Sequence, residues 1–151
     1  MSRRVAWGRA IATAAVVLAL DQATKQIVAT SLRRGESVDV FPGLDLTNTR
    51  NRGVAFGALE GSTVLVALLI GTVLVLLLAY FTANARRRWL WLPVGMLVGG
   101  ALGNLVDRAH EGAVIDFIDP LAWPAFNLAD SAIVVGVGVL LYVVEGRRGA
   151  A

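Results

Sequence analysis

The stretch TVLVALLIGTVLVLLLAYFTA, residues 63–83, decides what kind of molecule this chain makes. It runs for 21 residues without a charge, and at about 1.5 Å of helical rise per residue that is enough to cross a hydrocarbon core about 30 Å thick. The composition agrees, since 56% hydrophobic residues in a chain of 151 and a mean hydropathy of +0.67 are too apolar for a soluble globule. A helical membrane protein is expected.

Outward from that run, three further apolar segments read as spans: residues 10–32, 89–106 and 129–144. The first must tolerate Asp21 and Lys25. Its opening, arginines followed by the apolar core Ala10 to Leu20, is also how a cleaved signal peptide begins. Asp21, however, stands where the small residues of a cleavage site belong, and more spans follow, so an uncleaved helix is expected. The third and fourth segments are short and glycine-rich, with Gly95, Gly99, Gly100 and Gly103 in one and Gly136 and Gly138 in the other. Small residues of this kind let membrane helices approach closely. The expected fold is thus an α-helical membrane protein, a single integral domain over residues 1–151 with four transmembrane helices.

The net charge of +3 and a pI near 10.2 do not signal nucleic acid, because the basic residues cluster beside the apolar runs: Arg3, Arg4 and Arg9; Arg86, Arg87 and Arg88; Arg147 and Arg148. Four spans bring these clusters to one side, which the positive-inside rule makes cytoplasmic, both termini included. Of the 11 acids only Glu145 falls on that side. The opposite side receives two loops, 33–62 and 107–128. In the first, Val38, Val40, Leu44 and Leu46 alternate with polar residues around a Pro42-Gly43 turn, which predicts a small strand hairpin over the membrane. Val54, Ala55 and Phe56 are expected to return the chain to the interface. There is no cysteine, which removes disulfides and thiol chemistry.

Helical rise gives depth. Asp21 lies roughly 18 Å beyond Arg9, Asp107 roughly 28 Å beyond Arg88 and Asp130 roughly 25 Å before Arg147, all in the outer half of the bilayer. Charge in hydrocarbon costs several kcal/mol and therefore faces a protein interior and marks function. Asp21 and Lys25 are spaced i, i+4 with the acid first, suited to an ion pair that either serves a site or only fixes packing. Asn104, Asp107 and Arg108 share one face at the outer end of the third helix; a solvated end-of-helix cluster is the blander alternative for Asp107 and Arg108, whereas Asn104 lies a turn deeper and needs a partner. Asn127 and Asp130 have the spacing of a helix N-terminal cap. Capping does not explain why another acid, Asp116, arrives among apolar neighbours in GAVIDFID.

Two carboxylates in a low-dielectric pocket cannot both ionise cheaply, so one keeps its proton while the other loses it. This is the arrangement by which an aspartic protease activates water and protonates its substrate. The single histidine, His110, reads as a surface residue. Two other chemistries fit the same acids: Asp107, Asp116, Asp119 and Asp130 as oxygen ligands of Mg²⁺ in lipid phosphotransfer, although no phosphate-binding loop accompanies them, and a proton or ion relay, although nothing polar continues Asp21 inward to Arg9.

The motifs DQATK (21–25), NRGVAFG (51–57), GGALGNLVDR (99–108), VIDFID (114–119) and FNLADS (126–131), in this order and over nearly the whole chain, resemble those of bacterial lipoprotein signal peptidase, the signal peptidase II family. The resemblance implies a four-helix aspartyl endopeptidase of the bacterial plasma membrane, with its site near the outer face and no metal or cofactor. It would cut prolipoproteins before a diacylglyceryl-modified cysteine. Its expected partners are those substrates and membrane lipid, with no nucleic acid, and it is expected to be a monomer. Residue by residue, it makes Asp116 and Asp130 the catalytic pair and assigns substrate-binding or supporting positions to Asp21, Lys25, Asn51, Gly53, Asn104, Asp107, Arg108, Asn127 and Ala129. Val54 stands where the family commonly has alanine, which affects local packing.

Overall fold

The computed structural model describes residues 1–53 and 63–145. The expectations placed on Val54, Ala55 and Phe56 and on Arg147 and Arg148 lie outside the described residues. The elements run in the order α1 (Arg3–Ser31), β1 (Ser37–Phe41), β2 (Leu44–Asn51), α2 (Thr63–Asn84), α3 (Trp91–Glu111), β3 (Val114–Pro120) and α4 (Leu128–Glu145).

Helix α1 starts seven residues before the apolar run because Ser2 caps it, its hydroxyl accepting the Val5 N–H at 3.3 Å. Helix α3 continues five residues past the apolar run that ends at Val106 and so carries Asp107 and Arg108 beside Asn104, where their spacing put them. It stops at Gly112, whose φ of 68° is open to glycine and costly for most other residues. Three helical stretches are long and apolar enough to cross a membrane: Arg3–Ser31, Val64–Asn84 and Leu128–Glu145. Helix α3, with 21 residues, is about as long but is made less apolar by its glycines and the polar residues of its last two turns.

Helix α3 is the centre of the bundle, packed most extensively on α1 and α4. Its glycines permit this: a Cβ on Gly99 would lie 2.6 Å from the Ala14 carbonyl oxygen, and one on Gly100 would lie 2.6 Å from that of Ala129. At the arginine-bearing end, Ala6, Ala10, Phe81, Ala85, Leu90 and Val94 form a buried core, with Leu140 and Val143 packed against it. There Trp7 meets Phe81 edge-on at 4.9 Å, and the Arg9 guanidinium lies 5.5 Å over the Trp91 ring. The start of α1, end of α2, start of α3 and end of α4 therefore share one end of the molecule. Val64, Leu68, Val73 and Leu76 of α2 point outward and are exposed, as a lipid-facing surface requires.

The other end carries the sheet. Strands β1 and β2 form the hairpin expected around Pro42-Gly43, pairing Val38 with Leu46 and Asp39 with Asp45. The sequence did not anticipate a third strand: β3 is extended, as the alternation in GAVIDFID implied, and pairs antiparallel with β2, in the order β1-β2-β3. The register sets Asp116 opposite Thr49 and Val114 opposite Asn51.

Candidate active site

The site starts with one buried cation. The Lys25 ammonium donates to Asp21 Oδ2 at 2.9 Å, Asp107 Oδ2 at 2.8 Å and Asn104 Oδ1 at 2.9 Å, which uses its three donors. It brings α1 and α3 together in an interior where neither lysine nor aspartate is stable unpaired. The remaining carboxylate capacity is taken up as well. Asp21 Oδ1 accepts the Ala129 N–H at 2.9 Å, and Asp107 Oδ2 accepts the Ile115 N–H at 3.0 Å.

Gln22 belongs to this layer and was missed by sequence reasoning. Its side-chain amide donates to Asp107 Oδ1 at 2.9 Å, the Gly103 carbonyl at 3.2 Å and Asp21 Oδ2 at 3.3 Å. The only signal available was its place in DQATK, a third polar residue in the first apolar segment.

A layer of amides comes next. Asn104 Nδ2 donates to Asp130 Oδ1 at 2.8 Å. Asn127 Nδ2 donates to Asp116 Oδ1 at 2.7 Å and also reaches Asn104 Oδ1 at 3.1 Å. The cap predicted for Asn127 and Asp130 is present in reciprocal form: Asn127 Oδ1 accepts the Asp130 N–H at 2.9 Å, and Asp130 Oδ2 accepts the Asn127 N–H at 3.3 Å. Together with Asp21 on Ala129, these bonds satisfy amide groups that the first turn of α4 would otherwise leave unpaired. Capping and membership of the cluster are not alternatives here.

Asp116, 2% exposed, is reached from the opposite side by Asn51 Nδ2 at 2.9 Å. Burial raises its pKa from 3.8 to about 6, and the charge of Asp130 adds to that rise against the bonds from Asn51 and Asn127 and the charge of Lys25. Asn51 Oδ1 holds the Gly53 N–H at 3.0 Å, and the Gly53 carbonyl accepts from Arg108 at 2.8 Å. The Arg108 Nε is buried without a hydrogen-bond partner among the described residues.

All eleven residues singled out in the sequence fall in this one connected network. Asp119 does not; it lies opposite Asp45 in the sheet, away from Asp116 and Asp130, and His110 is exposed. Asp116 and Asp130 line a cleft of about 680 Å³ with Asn51, Asn104 and Arg108. Its other walls are apolar and include Ile70 of α2, Ala101 of α3 and Ile133 and Val134 of α4. A water-excluding wall beside two carboxylates and amide donors is suited to polarising a carbonyl and activating water.

Comparison with known proteins agrees with this chemistry. The family described as Signal peptidase (SPase) II matches residues 13–144. The lipoprotein signal peptidase of Halothermothrix orenii is 39% identical over 127 residues, covering 83% of this chain and 88% of its own. That of Pelotomaculum thermopropionicum is 44% identical over 130 residues, covering 85% and 86%. A solved bacterial membrane enzyme, determined by the in meso method at 2.3 Å resolution, superposes with a TM-score of 0.84 at 35% identity over 93% of this chain and 88% of that one. The chain belongs to the signal peptidase II family and is an aspartic endopeptidase of the membrane.

Proposed function

We propose that this enzyme removes the signal peptide from prolipoproteins by cutting immediately before a diacylglyceryl-modified cysteine, with Asp116 and Asp130 as the catalytic pair. The ionised member takes a proton from a water molecule, whose oxygen attacks the scissile carbonyl carbon. The protonated member gives its proton to the carbonyl oxygen, and collapse of the tetrahedral intermediate transfers a proton to the leaving amine. The observation that carries this reading is that two acids from different elements, β3 and α4, share Asn127 as a hydrogen-bond partner and line one cleft.

Asn51, Asn104, Arg108 and Asn127 hold the substrate backbone or the pair itself, all of them beside or lining the cleft. Gly53 and Ala129 contribute backbone groups, and Asp21, Lys25 and Asp107 support the site from behind. The enzyme is a monomeric single domain that crosses the bacterial plasma membrane four times, α3 included, with the arginine-bearing end and both termini cytoplasmic and the sheet and cleft at the outer face. Its lipid-modified substrate meets the apolar wall of the cleft. The reaction needs no metal.

The test is cleavage of a lipidated prolipoprotein by purified full-length protein, with and without a chelator. Asp116→Asn and Asp130→Asn should each lose at least a hundredfold in rate, the lower range of general acid–base catalysis, while remaining folded. The chelator should change nothing. Parental activity in either variant refutes the pair.

A further inference from the structure

Lys25 contributes no group to the cleft, yet it is 2% exposed and fully hydrogen-bonded. Of its three acceptors, Asn104 alone also lines the cleft. A carboxamide has an accepting end and a donating end, and which end faces which neighbour is fixed by what those neighbours offer. At Asn104 both the Lys25 ammonium, at 2.9 Å, and the Asn127 side-chain amide, at 3.1 Å, present donors to Oδ1. Nδ2 is thereby directed at Asp130 Oδ1, at 2.8 Å. Turning the amide over would set an NH₂ group against an ammonium and a second NH₂, and an oxygen against a carboxylate. Three hydrogen bonds would become three repulsions.

We infer that Lys25 is a positioning residue that acts through Asn104: it fixes the orientation of that amide so that Asp130 is always offered a donor and is held as an acceptor beside Asp116. This inference rests on the catalytic pair proposed above. Asn127 alone is a weaker constraint, because its neutral Nδ2 is shared with Asp116 and Ile115 and reaches Asn104 at 3.1 Å, whereas the Lys25 ammonium brings a charged donor to 2.9 Å. Without Lys25, the turned form of Asn104, whose oxygen accepts from a protonated Asp130, becomes accessible, and a fraction of molecules hold the pair in the wrong hydrogen-bonding state. The other charged groups around this point are Asp21 on α1, Asp107 and Arg108 on α3 and Asp116 on β3; α2 carries none.

Lys25→Met strands two buried carboxylates and threatens folding, so it is measured beside the charge-free triple variant D21N/K25M/D107N. That variant keeps an acceptor for the Ala129 and Ile115 amides. Purified full-length proteins are compared for kcat and KM on a lipidated prolipoprotein and for thermal unfolding midpoint, with D130N in parallel. The expected result is a triple variant with a midpoint near that of the parent, KM within twofold and kcat lowered at least tenfold. A triple variant that regains parental kcat together with its midpoint overturns the inference and leaves Lys25 a packing residue. D130N distinguishes the two levels: parental activity there removes the catalytic pair itself, whereas an inactive D130N beside a fully active triple variant removes only the role of Lys25.

Discussion

Substituting Gly100 with alanine tests whether helix spacing sets the chemistry. The added methyl would sit 2.6 Å from the Ala129 carbonyl oxygen and 2.9 Å from Ile133 Cγ1. A relaxed carbon–oxygen contact is about 3.3 Å or longer, so α3 and α4 must separate locally by about 0.7 Å. Asn104 lies one turn further along the same face of α3, and its bond to Asp130 is 2.8 Å. A rigid shift of that size stretches the bond to about 3.5 Å, the edge of what still counts as a hydrogen bond. Overpacking costs about 1–3 kcal/mol, and displacing a catalytic group by about 1 Å costs up to about a hundredfold in rate. The assay is gel-resolved cleavage of a lipidated prolipoprotein, together with the unfolding midpoint in detergent. Gly138→Ala is the control, because nothing lies within 4 Å of its added methyl, and it should leave both readouts unchanged. A Gly100→Ala protein with parental kcat and midpoint would refute the claim that this contact holds the pair in register.

Other outcomes follow from the same geometry. Because Asp116 titrates near 6 when folded against an ordinary 3.8, the folded chain takes up this proton more readily than the unfolded chain does. The stability linked to that proton is full below about pH 4 and is lost as pH rises through about 6. Asp116→Asn has no such loss, so its unfolding free energy relative to the parent should improve between pH 4 and 7 by up to about 3 kcal/mol, and a flat difference would contradict the assigned burial cost. Gln22→Leu leaves Asp107 Oδ1 without its donor and should lower stability by about 1.5–3 kcal/mol, read by denaturant or thermal unfolding in detergent. Arg34, 68% exposed in its ion pair with Glu111, should be replaceable by alanine at a cost of no more than about 1 kcal/mol.

The parts of the molecule that were legible in the sequence are those that depend on short-range signals. The charge-free run of α2 needed only counting, and the β1–β2 hairpin only its alternation and turn residues. Asp21, Lys25, Asn104, Asp107, Asn127 and Asp130 stood out because hydrocarbon makes polar side chains expensive wherever they occur. The pairing of β3 with β2 was not legible, since it joins Val114 to Asn51 across two helices and no local pattern encodes the partner. The end of α3 was legible only to within about a turn, since the apolar run stops at Val106, and only the fold reveals that Lys25 and the Gly53 carbonyl await Asp107 and Arg108. Gln22 escaped for a related reason: one amide has no spacing to betray it until three acceptors from two helices surround it.

The shared ownership of Lys25 bears on how such a chain is made. Helix α1 leaves the ribosome with Asp21 already one turn from its counter-ion, so it can partition into lipid as a neutral unit long before α3 exists. In the folded molecule that same ammonium is held in common by the carboxylates of α1 and α3, so Arg108 is left to donate to the Gly53 carbonyl.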